Sequence, residues 1–252
     1  MTSTPPFPEL LSLIEARSAA LRAAAAVVPD RTVAVPGCPG WSLTDLITHL
    51  GGVHRFWAAT VALGDDSGPP APEHHGDLAP HGDLLDWSAA STELLLSRLR
   101  EAGPEAPSWA WWAGSDAAPL TAGAIARHQV QEAAVHAFDA QEAAGRPEPL
   151  PAAVAVDGVG EFLTVWMGSR EAWPHRPARV AFQAIEGPSW TLDLSPAGAR
   201  TDPPASGDPV TRVQATASDL VLALYRRIPL ADVRVDGDRE VAEQLVEWSR
   251  MD

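Results

Sequence analysis

Glu132 and His136 stand four residues apart in Glu132-Ala133-Ala134-Val135-His136, and His49 lies far upstream in Thr48-His49-Leu50. Residues four apart on a helix sit one turn apart on the same face, so this carboxylate and imidazole can point at a single ion. His49 would complete a set of two imidazoles and one carboxylate. Such a set leaves one position of a catalytic zinc free for water or substrate, whereas structural zinc sites are usually closed by four ligands. The same Glu/His spacing also arises by chance on a solvated helix face, so the surrounding elements decide what the pair means.

Those elements are legible from periodicity and caps. Leu10, Leu13, Ile14 and Leu21 follow the three-four spacing of one helix face, which predicts a helix from about Pro8 to Val28, closed by Pro29. Ser42, with Asp45 three residues on, has the pattern of a capping box and predicts a second helix from Leu43. On it, Leu46, His49, Val53 and Phe56 share a stripe, which turns His49 toward the interior. Residues 64 to 82 are rich in Gly, Pro, Asp and His without periodicity and read as a mobile loop, in which His74, His75 and His81 are solvated. A third helix is expected over Leu84 to Glu101, followed by a short loop with Trp109, Trp111 and Trp112.

A fourth helix is expected from Thr121 to Ala144, stopped by Gly145 and Pro147. One of its faces, Val130, Ala133, Ala134, Ala137 and Phe138, is small and apolar, while the adjacent stripe carries His128, Glu132, His136 and Asp139. That stripe either faces water or lines a pocket. Four such helices would form an antiparallel bundle, an architecture that builds metal sites from side chains on facing helices. A fifth helical segment spans about Ala152 to Met167. Beyond Pro177 the period changes to that of strands over Arg179 to Ile185, Ser189 to Leu194 and Thr211 to Ala215, and helices follow over Ala217 to Arg227 and Arg239 to Trp248. The expected class is α+β: a helical domain over 1–170, a boundary at 170–177 and a small α/β domain over 177–252.

Composition narrows the chemistry. The chain has 252 residues, 46% hydrophobic and 20% charged, enough to bury a core, and a net charge of -15 with no basic run. That balance argues against nucleic acid and anionic membranes as partners. Cys38 is the one cysteine, so no internal disulfide or Cys-based metal cluster is possible. All 18 basic residues are arginine, which removes Schiff-base chemistry and a Walker-type phosphate loop. With neither a signal-peptide pattern nor an apolar run of about 20 residues, the expected location is cytoplasmic.

Three segments together resemble a known family. They are Pro36-Gly37-Cys38-Pro39-Gly40-Trp41-Ser42-Leu43-Thr44-Asp45-Leu46-Ile47-Thr48-His49-Leu50, then Glu132 to Asp139, then Ala217-Ser218-Asp219-Leu220 through Leu224 to Arg227. In this order and separation the chain resembles the mycothiol-dependent maleylpyruvate isomerase family of the DinB-like superfamily, over nearly its whole length. The resemblance implies a DinB-like four-helix bundle followed by a small domain related to sterol carrier proteins. It implies zinc or another divalent ion held by His49, Glu132 and His136, with mycothiol as thiol cosubstrate and a small electrophile as substrate. It also implies a functional arginine near the end of the third segment, placed at Arg227, although Arg226 stands where a small residue is usual. Isomerisation and S-transfer both fit, and the competing class is a non-thiol DinB-like protein that binds metal and a small molecule.

The neighbouring residues carry weaker expectations. Cys38, between Gly and Pro and with no adjacent His, reads as packing, and Trp41 as a core anchor. His128 is an alternative or additional ligand, Asp139 either orients a ligand or bonds to backbone, and His54 reads as a helix-surface residue.

Overall fold

The computed structural model describes residues 4–64, 67–76, 78–202 and 207–250. Within them the chain forms two compact units: Pro5–Ala113 with Pro119–Glu148, and Gly114–Ala118 with the chain from Pro149 onward. The class is α+β.

The first unit is helical, with α1 (Phe7–Ala26), α2 (Leu43–Leu63), α3 (Leu84–Ala102) and α4 (Ala122–Ala143). Each start has a local cause. Pro8 lies in the first turn of α1; Ser42 and Asp45 close a reciprocal capping box on α2, the Ser42 N–H donating to Asp45 Oδ2 at 2.8 Å; Asp83 and Thr121 cap α3 and α4. Caps of this kind contribute about 1 kcal/mol each. Gly64 ends α2 at φ 64°, a left-handed conformation that glycine adopts without steric cost.

Packing then fixes which faces meet. α1 runs along α4 and α2 along α3, with further contacts between α1 and α3 and between α2 and α4. Ala126, Ala133, Ala137 and Ala140 on α4 are fully or almost fully buried, and such small side chains let a neighbouring helix approach closely. α2 and α3 are also close: a Cβ on Gly51 would collide with the Trp87 ring. The deepest stripe of α2 is Leu43, Ile47, Leu50, His54, Trp57 and Val61, which leaves His49, Val53 and Phe56 half-buried at its edge. Leu46 of the expected stripe is fully buried as well, so that stripe starts in the core and its other members lie at the rim, offset round the helix from the deepest residues.

That offset corrects the placement of His54, which is fully buried rather than on the helix surface. Its Nδ1 meets the Thr92 hydroxyl at 3.3 Å, and the Arg22 guanidinium donates to the same hydroxyl at 3.0 Å. Burial pushes the His54 pKa down to about 3, outweighing the charge of Glu132, with Arg22 adding to the depression. The unfolded chain takes up this proton near the ordinary value of 6.5 and the folded chain only near 3. The His54 contribution to stability is thus complete above about pH 6.5 and is lost as pH falls toward 3, with a full amplitude on the order of 4–5 kcal/mol. In urea denaturation across this range, His54→Gln is expected to lose stability less steeply than wild type. Equal slopes would show that His54 is not held neutral by burial.

The second unit carries α5 (Ala152–Glu161), α6 (Ala217–Leu224) and α7 (Arg239–Trp248), and strands β1 (Ala178–Ala184), β2 (Ser189–Ser195), β3 (Gly198–Thr201), β4 (Thr211–Ala215) and β5 (Arg234–Gly237). The sheet order is β3-β2-β1-β4-β5, with β1 and β4 parallel and the other neighbours antiparallel. Val180, Phe182 and Ala184 alternate inward on β1, as Trp190, Leu192 and Leu194 do on β2, and α6 and α7 pack on the sheet.

Three details differ from the sequence reading. α5 packs on α6, so the change of unit falls ahead of it at Pro149, not at 170–177. α5 also ends at Glu161, the chain widening into a π turn over Phe162–Trp166 before a 3-10 turn at Met167–Ser169. α6 stops at Leu224, and Arg226 adopts φ 62°. Of the expected loop over 64–82, residues 65, 66 and 77 lie outside the described residues, and Pro72–His74 forms one 3-10 turn. Among the described residues no helix is long and apolar enough to cross a membrane.

Candidate metal centre

His49 on α2 and Glu132 and His136 on α4 converge although 83 residues separate His49 from Glu132. His49 Nε2 is 3.0 Å from Glu132 Oε1, and His136 Nε2 is 3.3 Å from the same oxygen. The imidazoles stand edge to face, 82° apart with centroids separated by 5.1 Å. All three donor atoms lie within 4.8 Å of one another. Ligand atoms bonded at about 2.0–2.1 Å to tetrahedral zinc stand about 3.3–3.4 Å apart, so the donor set and its spacing suit such an ion.

A buried carboxylate orients this set. Asp139, one turn beyond His136, is fully buried and its Oδ2 lies 2.8 Å from His136 Nδ1. With Nδ1–H donating to Asp139, the Nε2 lone pair of neutral His136 is directed at the shared position, a known carboxylate–histidine arrangement at metals. The Cys38 thiol donates to the same Oδ2 at 3.4 Å. Cys38, His136 and Asp139 are therefore a second cluster of metal-ligating types. Access separates the two clusters: the Asp139 side chain is 0% exposed, whereas His49 and Glu132 keep 34% and 21% of theirs. A fourth ligand from solution can reach the first cluster.

The electrostatics of the site follow from the same contacts. Burial alone would raise the Glu132 pKa, but the charge of His136 and hydrogen bonds from His136 and His49 hold it well below the usual carboxylate range. Burial would likewise lower His136, yet the Glu132 charge and hydrogen bonding with Asp139 and Cys38 raise it well above an ordinary imidazole. An ion entering here must displace the His136 proton, so its binding weakens as pH falls.

The other sequence candidates lie elsewhere. His128 sits among Trp57, Trp111 and Trp112, with ring centroids 5.5–6.4 Å away, and belongs to neither ligand cluster. His74, His75 and His81 are also absent from both clusters. Arg227 lies in the second unit, just past α6, where its Nη1 donates to the Tyr225 carbonyl at 2.9 Å. Arg226 pairs with Glu247 at 3.7 Å.

Two residues read as packing lie beside these groups. Trp41 is half-buried, its ring centroid 4.7 Å from His49 and 6.3 Å from His136. Cys38 reaches Asp139 across 101 residues of sequence, a link that local spacing could not reveal. The route is local: Val35 N bonds Trp41 O and Trp41 N bonds Cys38 O, which folds the Pro-rich link into a tight loop ahead of α2.

Residues 11–141 match the family model described as the mycothiol maleylpyruvate isomerase N-terminal domain, and residues 153–244 match the corresponding C-terminal domain. The chain belongs to the mycothiol maleylpyruvate isomerase family. Two solved structures of the mycothiol-dependent maleylpyruvate isomerase, one of them a histidine-to-alanine mutant, share its fold. The mutant is 15% identical with a TM-score of 0.57, the other 16% with 0.56, and in each case the match covers 88% of this chain and 91% of that chain. The family and both structures bear the name of an enzyme, an isomerase. No curated protein matches the chain.

If Asp139 positions His136 for an ion, Asp139→Asn should keep the side-chain volume and weaken metal affinity by about 10- to 100-fold. Competition with a chelator of known affinity measures this. Unchanged affinity would reduce Asp139 to a packing role.

Proposed function

We propose that this chain is a metal-dependent enzyme that uses a low-molecular-weight thiol, mycothiol, either to isomerise a small conjugated electrophile or to transfer the thiol sulfur onto it. The observation that supports it is the convergence of His49, Glu132 and His136 at the edge of the helical core, in a chain of this family. A divalent ion bound by two neutral imidazoles and one carboxylate would keep a net positive charge, and would favour an arriving thiol in its nucleophilic thiolate form. Zinc suits the nitrogen and oxygen donors, and the helices that present them would be a DinB-like bundle.

The chain's own groups divide the remaining work. Asp139 fixes the tautomer and orientation of His136, and Cys38, by donating to Asp139, supports that carboxylate. Trp41 walls the site beside His49 and limits its hydration. The attacking sulfur comes from outside: it adds to the conjugated double bond, the resulting single bond rotates, and elimination of the thiol restores the double bond in its new geometry. Where the enolate instead takes up the proton that the thiol gave up, elimination does not follow and the adduct is the product. Arg227 is the residue proposed to bind a substrate carboxylate or enolate through its planar fork, with Arg226 as the neighbouring candidate.

Incubating zinc-loaded protein with mycothiol and a panel of α,β-unsaturated carboxylic acids tests the reading. Mass spectrometry and chromatography should show an isomer or thiol adduct that requires both protein and thiol. Metal retention without any thiol-dependent product across the panel would favour the competing class, a DinB-like protein that binds metal without thiol chemistry.

A further inference from the structure

A cavity of about 370 Å³ opens between α2, α3 and the turn at 72–76, and its lining contains none of the three metal-site residues. Among the described residues, Arg55, Arg98, His74 and His75 line it and no carboxylate does, although the chain as a whole carries a charge of -15. Local charge governs here, because exposed charges beyond about 8–10 Å are largely screened at physiological ionic strength.

Arg55 is prepared for an anion. Its Nε donates to the Ser91 hydroxyl at 2.8 Å, and its guanidinium lies over the Trp87 ring, 5.2 Å from the centroid. Among the described residues no carboxylate pairs with it. One edge of the guanidinium is thus anchored and one face supported, leaving the terminal Nη groups for a bidentate acceptor at reduced entropic cost. Arg98 contributes a second charge, shared with Glu101 at 2.9 Å. His75 secures the wall: its Nε2 bonds the Pro70 carbonyl at 2.8 Å and its ring packs edge-on against Phe56. The rest of the lining, including Ala58, Ala62 and Leu94, is apolar.

We propose that this cavity binds a small carboxylate with a short apolar body, separately from the metal centre. The volume falls in the range of small-ligand pockets, and the division into cationic and apolar walls matches such an amphipathic anion better than a fully hydrated inorganic one.

Hexanoate is a suitable probe, titrated into zinc-loaded protein by calorimetry and by NMR of the Arg55 Nε–H. Saturable one-to-one binding is expected, weakened about tenfold or more in Arg55→Gln and less in Arg98→Gln, since a charge-assisted hydrogen-bonded fork is lost in the first. Inorganic phosphate should bind at least about tenfold more weakly. Thermal melts of both variants establish that each is folded. The proposal is overturned by absence of saturation up to about 10 mM, by unchanged affinity in folded Arg55→Gln, or by phosphate binding as tightly as hexanoate. Loss of hexanoate binding when zinc is removed by a chelator would also overturn it, because that outcome places the carboxylate on the metal.

Discussion

His136→Ala is expected to abolish stoichiometric metal binding, taking the purified protein from about one divalent ion per chain to near none. His136 supplies a donor atom 3.3 Å from Glu132 Oε1, and its loss leaves only His49 and Glu132 of the set. It also removes the His136 hydrogen bond from Asp139, which is fully buried. A fall in melting temperature should accompany the loss, since an ion that binds only the folded state adds its binding free energy to stability. Plasma emission spectrometry on wild type and variant, after dialysis against a weak chelator, measures the stoichiometry. Full retention of metal in the variant would exclude His136 as a ligand.

Glu132→Gln should reduce thiol-dependent turnover by about 100- to 1,000-fold, the size of the several kcal/mol that metal-ion catalysis contributes at tenfold per 1.36 kcal/mol. The substitution keeps the shape of the side chain and removes its charge. Without that charge two effects follow, and both have a sign. The His136 pKa falls, because the Glu132 charge is a principal cause of its elevation. Proton competition for His136 therefore moves to lower pH, so residual metal binding in the variant should fall off at a more acidic pH than in wild type. Affinity measured by chelator competition across pH separates this from misfolding. An unshifted profile would mean that Glu132 and His136 do not share the site electrostatically.

Much of the helical unit is legible in the sequence because its determinants are local. Ser42 with Asp45, and Gly145 after Ala144, mark helix ends through hydrogen bonds and backbone freedom confined to a few residues. β3 and β5 escape notice for the opposite reason: each has four residues, and Gly198-Ala199-Arg200-Thr201 has no alternation that identifies a strand, so pairing with β2 defines it. At the candidate site, the i,i+4 relation of Glu132 and His136 is visible and the fold brings His49 to them. The link from Cys38 through Asp139 to His136 is not visible, since it depends on how the loop before α2 meets α4. His54 shows the limit of periodicity. A polar residue on a helix reads as exposed unless the packing of both flanking faces is known, and α2 is covered on more than one side.

Zinc K-edge X-ray absorption before and after addition of mycothiol tests whether the thiol is activated on a metal held by His49, Glu132 and His136. Nitrogen and oxygen ligands alone are expected at about 2.0–2.1 Å in the zinc-loaded protein, and one sulfur at about 2.3 Å once the thiol is present. A sulfur already bound without mycothiol would place Cys38 on the metal, and no sulfur after its addition would contradict activation of the thiol at this site.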